Sequence, residues 1–590
     1  MISAVPPAFI FIIGGLLLPL LGARRLKQVW LLFVPALAFA DLLVLPNSGT
    51  SWTYHFLGYN LVFGKIDTLS LCFGYVFCIM AFLGMVYALH VKEEGQHLAA
   101  MFYIGSALGV TFAGDLFTLF IFWEIMAASS VFLIWYQRDK AALGAGFRYL
   151  LVHLFGGSAL LAGIIIHVST TGSTQFGSID YGSLSSLLIL LGFIINAAVP
   201  PFHAWLSDAY PEATVTGSVF LTAFTTKSAV YVLIRAFAGV ELLVWMGAIM
   251  AVYGVVYAVL ENDIRRLLAY HIISQVGYMV CGVGLGTEMA LNGSTVHAFC
   301  HILYKALLFM GAASIIHVTG KRKLTDLQGR NLYKKMPICL SLYMVGAFSI
   351  SAVPLFNGFI SKTMVVAAAG DLHRPVIYLL LHLASIGTFL HTGLKLPYGI
   401  WFGKASKGVR RDAIEASEPP LHMLIAMGMT ALLCIVTGVF PSILYNLLPY
   451  PVHYQPYTPY HIVGMMQLLL LTGGAFLLLV KKLGGEPTIS LDTDWFYRKG
   501  AGVLVRSCYR LDEARAGIQA FASRMVEGVI DFSKNPIQLV QTLFSRKKPM
   551  LLPYNADTYR QAIGVGVMLL LVVFFVFCVI LFSRLGKLLM

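Results

Sequence analysis

Asn196-Ala-Ala-Val-Pro-Pro-Phe-His203 interrupts one long apolar run of this chain, and Ile350-Ser-Ala-Val-Pro-Leu-Phe-Asn-Gly358 interrupts another. The shared Ala-Val-Pro-x-Phe element occupies Ala198–Phe202 and Ala352–Phe356, an offset of 154 residues (198 to 352). Proline lacks a backbone donor and clashes with the preceding turn, so Pro200, Pro201 and Pro354 should open the helices that carry them. Inside a bilayer, freed backbone groups survive only against protein or a wet cavity. Matched interruptions in two halves of a chain point to an inverted repeat with an ion path between its parts.

The surrounding sequence places both breaks in a membrane. The 590 residues are 58% hydrophobic and 12% charged, with a mean hydropathy of +0.80. So few charges could not cover a soluble protein of this size. Apolar windows predict sixteen spans, at 8–22, 29–46, 66–90, 98–113, 115–136, 145–168, 185–206, 214–237, 242–260, 266–286, 294–318, 337–369, 376–402, 421–440, 461–480 and 560–583. The N-terminal stretch has no basic n-region and reads as a retained first span. Arg24/Arg25/Lys27, Lys92, Arg138/Lys140, Arg265/Arg266, Lys321–Lys323, Lys334/Lys335, Lys404/Lys407/Arg410/Arg411 and Lys481/Lys482 fall on one side of that count, with Arg374, Arg584 and Lys587 as exceptions. Loops 46–64, 169–184 and 441–460 on the other side contain no Lys or Arg. The basic side is therefore expected to be cytoplasmic and the N-terminus outside. The same distribution makes the net charge of +14 a topology signal and excludes nucleic acid as the partner. Eight cysteines form no Cys-x-x-Cys pair, so neither a metal nor an iron–sulfur cofactor is expected. Gly282-Val-Gly-Leu-Gly286 reads as helix packing rather than as a nucleotide loop.

Residues 484–559 differ from the rest, with charges interleaved among apolar residues at helical spacing over Tyr509–Val540. That pattern predicts an amphipathic lateral helix, bent or ended near Pro536, before the final span.

Ionisable groups inside spans cost a few kcal/mol each and are functional candidates by default. Glu124 lies mid-span, as does Lys227. His297, His301 and Lys305 share one helix face by their i, i+4, i+8 spacing. Lys362 follows the second break, and Lys395 has His391 one turn before it. Burial disfavours charge on each, and a neighbour's charge adds to that, so the row can exchange protons at working pH. His153, His167 and His382 stay open between relay members and hydrogen-bonding partners. Arg235 and Lys65, near span ends, are expected to snorkel to water.

Trp123-Glu124, Pro201-Phe-His-Ala-Trp-Leu-Ser-Asp-Ala-Tyr-Pro-Glu212, Asp263-Ile-Arg-Arg-Leu-Leu-Ala-Tyr270 and Lys305-Ala-Leu-Leu-Phe-Met-Gly311 resemble the antiporter-like subunit family over roughly residues 60–440. The family comprises the proton-pumping membrane subunits of respiratory complex I, the A-type and D-type members of Mrp-type Na+/H+ antiporters, and relatives in membrane-bound hydrogenases. The resemblance implies an all-α membrane fold of about fourteen core helices with two inverted five-helix repeats, then a lateral helix and a final span. It implies a proton relay through Glu124, Lys227, His301, Lys305 and Lys362, joined by His297 and Lys395, with the helix breaks at Asn196–His203 and Pro354 forming the channel. It implies the D-type component of a multisubunit antiporter, or its equivalent in a redox-driven complex, moving H+ or exchanging Na+ for it. Other membrane subunits would be its partners in a bacterial or archaeal inner membrane, and any redox chemistry would belong to them. Relatives carry lysine where this chain has Asn196, and Leu-Pro-Asp where it has Leu-Ser-Asp. Asn cannot take a proton, so either Lys227 pairs with Glu124 instead, or the first half-channel is altered or silent and the protein partly a scaffold. The expected divisions are 1–97, halves at 98–260 and 261–420, core helices to 483, the lateral segment 484–559 and the last span 560–590.

Overall fold

The computed structural model describes residues 5–403, 416–483, 492–534, 543–544 and 563–586. Its helices begin where short polar residues interrupt the apolar runs. Asp67, Asp115, Asp139, Ser183, Thr214, Asp263 and Thr287 each accept a hydrogen bond from the first-turn backbone they precede. Two entering helices, α1 (Pro7–Leu17) and α2 (Arg24–Val44), lead to an antiparallel hairpin of β1 (Gly49–Phe56) and β2 (Tyr59–Ile66) and then to α3 (Thr68–Tyr87).

The next ten spans form two sets of five. The first contains α4 (Glu94–Phe112), α5 (Leu116–Trp135), α6 (Lys140–Thr171), the broken pair α7 (Leu184–Asn196) and α8 (Ala204–Ala209), and the broken pair α9 (Val215–Leu221) and α10 (Thr225–Ala236). The second contains α11 (Glu241–Leu260), α12 (Ile264–Leu285), α13 (Glu288–Thr319), the broken pair α14 (Pro337–Ile350) and α15 (Asn357–Asp371), and α16 (Pro375–Thr388) with its continuation to Phe402. Five crossings are an odd number, so the second set starts from the opposite face and is inverted.

The likeness of the sets extends to single atoms. Both α6 and α13 have 32 residues and end on left-handed glycines, Gly172 (φ +70°) and Gly320 (φ +66°). Leu116 N donates to Thr174 O (2.8 Å) and Ile264 N to Arg322 O (3.0 Å). At the breaks, Ala198 and Ala352 both take φ +57°. Val199 N then reaches back to Ile194 O (3.1 Å), and Val353 N to Phe348 O (3.0 Å). The five-residue echo in the sequence is thus one backbone turn built twice.

Two interruptions fall inside spans expected to be continuous. The span expected as continuous at 214–237 breaks at Thr222–Phe224, between α9 and α10, with neither proline nor glycine there. Beyond α16 the chain widens into π-helical turns at Phe389–Lys395 and Tyr398–Phe402. After these come α17 (Leu421–Val439) and α18 (Pro459–Leu483).

A second compact unit starts at Phe496. It holds most of α19 (Asp494–Lys534), a 41-residue helix, and α20 (Ile563–Gly586). The amphipathic helix therefore begins at Asp494, a turn-opening acid, rather than at Tyr509. Its expected end near Pro536 and Val540 lies outside the described residues.

Helices α11 and α12 pack backbone to backbone. A Cβ on Gly247 would stand 2.2 Å from Cys281 N, on Gly254 2.5 Å from Ser274 N, and on Gly277 2.5 Å from Ala251 N. Gly282 and Gly284 are likewise filled by Ser294 and Val244, as helix-packing glycines should be. Backbone cannot give way as a flexible side chain can. Gly277→Val is expected to cost about 1–3 kcal/mol, read as loss of monodisperse protein on gel filtration in detergent.

Candidate functional site

Three buried lysines share one environment. Each amine is held by a backbone carbonyl that a helix end leaves unpaired, where the helix dipole is negative. Lys227 Nζ donates to Thr222 O, at the end of α9. Lys362 Nζ donates to Ile350 O (2.8 Å), the last residue of α14. Lys395 Nζ donates to Val259 O (2.6 Å) and Glu261 O (3.1 Å), where α11 ends. Two helix breaks thus supply the acceptors for Lys227 and Lys362, and the end of α11 supplies those for Lys395.

Lys305 is different. It sits on unbroken α13, fully buried, with Nζ unpartnered among the described residues and 5.8 Å from the Phe309 ring centroid.

Between these lysines runs a polar string through the second set. Lys362 lies over the Tyr278 ring (5.3 Å), and that ring is 5.8 Å from His297. His297 Nδ1 meets Ser361 Oγ (3.1 Å), and Tyr304 OH stands 3.4 Å from both His297 Nε2 and Gln275 Oε1. Gln275 Nε2 donates to Thr388 Oγ1 (3.2 Å). One turn on, His391 lies 5.5 Å from His271 and precedes Lys395. His301 packs its ring 5.3 Å from Tyr304. The ring nitrogens of His271, His301 and His391 lack partners among the described residues. Sequence reasoning missed His271, Gln275, Tyr278 and Tyr304. His271 follows directly on the quoted Asp263–Tyr270 motif, and its place inside a span was its available signal.

A cavity of about 850 Å³ reaches Lys362. Asp371, His373, Arg374, His382 and His461 line it. His382 thus faces the approach to the relay. His153 instead meets Tyr149 O (2.9 Å), stacks on the Tyr149 ring and meets Trp205 edge-on. His167 lines a separate hollow of about 530 Å³ with Asp180.

The first set is less connected. Glu124 on α5 has a buried Oε1 without a partner, and Asn196 is fully buried with both amide atoms unpartnered. Lys227 bonds the Thr222 carbonyl, so it does not replace the missing lysine as an ion partner of Glu124 in this conformation. Room for the Glu124 carboxylate comes from Gly157 of α6, where a Cβ would stand 1.8 Å from Oε1. The break between α7 and α8 holds a cis Pro200–Pro201 bond and fully buried His203.

Arg235 does not snorkel. It forms a two-pronged ion pair with Asp67 (2.8 and 2.9 Å), the residue that caps α3. Burial works against charge on Asp67, yet the Arg235 and Ser70 hydrogen bonds hold its carboxyl below the usual range. Lys65 donates to Phe176 O (2.6 Å).

Inverted five-helix sets with broken spans and buried cations define an ion-translocating type of polytopic membrane fold. Residues 113–389 match the family described as NADH:quinone oxidoreductase/Mrp antiporter, transmembrane, whose model covers just under half of the chain. An uncharacterised protein of Methanocaldococcus jannaschii is 28% identical over 75% of this chain and 96% of its own length. The A-type component of the Na+/H+ antiporter of Alkalihalophilus pseudofirmus is 30% identical over 72% of this chain and 59% of its length. Hydrogenase-4 component B of Escherichia coli is 29% identical over 64% and 62%. The chain therefore spans about three fifths of these two named relatives. Among solved structures, a chain of the Mrp complex from Dietzia sp. aligns with TM-score 0.67 at 22% identity, covering 79% of this chain and 98% of that one. A chain of the archaeal membrane-bound sulfane sulfur reductase aligns with TM-score 0.67 at 22% identity, covering 96% and 99%. These two likenesses concern the fold.

Gly157→Ala is expected to displace the Glu124 carboxylate while leaving the chain folded. Infrared difference spectra recorded across a pH step should show the Glu124 carboxyl band moved, and unchanged bands would separate Gly157 from that site.

Proposed function

We propose that this chain is the proton-moving membrane component of a multisubunit cation/proton antiporter or of a redox-driven respiratory or hydrogenase complex. The observation that carries the reading is the polar string from the cavity at Lys362 to Lys395, lined by histidine nitrogens and one lysine amine without partners among the described residues. Buried polar groups in native proteins are paired, so unpartnered ones in a row call for water between them. Such a row moves protons by occupancy. His301 and Lys305 are helical neighbours; charges ~6 Å apart at an effective dielectric of ~20 repel by about 3 kcal/mol. One site's protonation can therefore change the other's occupancy by about a hundredfold, so a proton arriving at one expels its neighbour's.

By the charge distribution of the loops, the basic face is cytoplasmic, the N-terminus is outside, and the cavity at Lys362 opens outward. The membrane is that of a bacterial or archaeal cell, the inner one where there are two. We draw the division between the halves near residue 240, because Glu241–Leu260 occupies the place in the second set that Glu94–Phe112 has in the first. Partners are the other membrane subunits of the complex, as the relatives' names suggest, with the chain standing as an A-type or D-type member. The transported ion is H+, with Na+ exchange left to the assembled complex. The second reading, a chain whose first half-channel is silent, is favoured by Asn196 and the unpaired Glu124.

In vesicles holding the whole complex, Lys305→Ala and Lys362→Ala are each expected to reduce proton transport to the empty-vesicle background with normal assembly. Unchanged transport would reject their roles. In a background without the native cysteines, Ser385→Cys is expected to react with a membrane-impermeant thiol reagent applied outside and to be protected from inside; the reverse would invert the topology.

A further inference from the structure

A carboxylate from outside the repeats is buried at the first helix break. Asp492 lies two residues before α19, yet its side chain is fully buried. Its oxygens accept hydrogen bonds from His203 Nε2 (3.0 and 3.2 Å), Tyr253 OH (2.6 Å) and Tyr270 OH (2.5 Å). Thr493 N donates to it as well (2.6 Å). These donors come from the α7–α8 break, α11, α12 and the carboxylate's own segment. A carboxylate receiving so many donors is ionised, because a protonated acid would have to donate to one of them.

That assignment fixes the histidine. Since ionised Asp492 can only accept, His203 carries its hydrogen on Nε2, and the neutral ring's lone pair is then on Nδ1. His203 Nδ1 is buried and has no partner among the described residues. The arrangement is that of a carboxylate-oriented general base: one nitrogen anchored, the other presented, and a negative charge in place to stabilise the imidazolium. It lies seven residues after Asn196, where the first half lacks its lysine.

We infer that His203 and Asp492 form a proton-binding site of the first half-channel, with His203 Nδ1 as the atom that takes the proton. The step balances simply. A proton reaches Nδ1 from water on the cytoplasmic side, the ring becomes imidazolium against the Asp492 carboxylate, and the same N–H bond breaks when the proton moves on. Burial opposes the Asp492 charge, but the hydrogen bond and charge of His203, with Tyr253 and Tyr270, hold its carboxyl well below the usual range. The charged and titratable groups facing the pair are Tyr253 and Tyr257 on α11, Tyr270 and Arg266 on α12, Glu261 beside Arg266 (3.4 Å), and Asp494. Arg266 is balanced by the two nearby acids, so Asp492 remains the counter-charge for His203. A lone histidine at the break, with no anion beside it, would have to bear its charge uncompensated.

The inference rests on the proton-transport reading, and the test separates the two. Transport by the intact complex in vesicles is measured across pH for the natural chain, His203→Gln, Asp492→Asn and Asp492→Glu. Asp492→Asn is expected to move the pH limb assigned to His203 down by one unit or more, about a tenfold loss of proton affinity. His203→Gln should remove that limb, and Asp492→Glu should restore most of it. If Asp492→Asn fails to assemble, the Glu variant and His203→Gln decide the matter, with a histidine ring-protonation band in infrared difference spectra as the second readout. A natural chain that transports while these variants keep its pH profile and its histidine band would overturn the site alone. A natural chain that moves no protons would overturn the transport reading, and the infrared band would still report on the pair.

Discussion

Backbone carbonyls at helix ends hold three of the four lysines that are buried among the described residues. A lysine amine in a bilayer needs an acceptor, and an intact helix offers none, because each carbonyl is already spent on the turn above it. Helix ends release such acceptors, at the interruptions for Thr222 and Ile350 and at the close of α11 for Val259 with Glu261, and these face Lys227, Lys362 and Lys395. Two breaks in this fold are therefore cation sites first and bends second. Lys305, on an unbroken helix, lacks such a holder among the described residues.

Other residues of the motifs that carry the family resemblance do a different job. Asp208 pairs with Arg148 (2.6 Å), and Glu212 and Asp263 grip Arg322 from the two sets of helices. Arg265 donates to Pro211 O and Ala213 O (3.2 and 2.7 Å). These residues fasten the turn after α8 to the start of α12, joining one set to the other on the basic face. Trp123 packs against Phe193 beside Glu124. The motifs therefore combine residues that position the repeats with ionisable ones such as half-buried Glu124 and fully buried His203 and Lys305.

Much of the fold was legible because apolar length and proline speak plainly in a membrane. A lysine inside an apolar run announces itself, so Lys227, Lys305, Lys362 and Lys395 were readable one by one. The break at Thr222–Phe224 was not, because its local residues could continue a helix; there Thr225 N donates to Tyr103 OH instead (3.0 Å). The widened turns at 389–402 enclose Pro397, a local sign of irregularity that the continuous span passed over. Asp492 was hidden for the opposite reason: it sits in a charged segment, where an acid reads as solvated, and only its neighbours His203, Tyr253 and Tyr270 make it a buried site. The absence of lysine at 196 was plain in the sequence, but not what else occupies that break.

The central claim is that buried polar groups from Lys362 to Lys395 are joined by water. A high-resolution experimental map of the assembled complex in lipid tests it most directly. Ordered water bridging Lys362, His301, Lys305 and His391 is the result this account requires. Dry apolar packing around Lys305, with no water reaching His301 or His391 from either face, would contradict it.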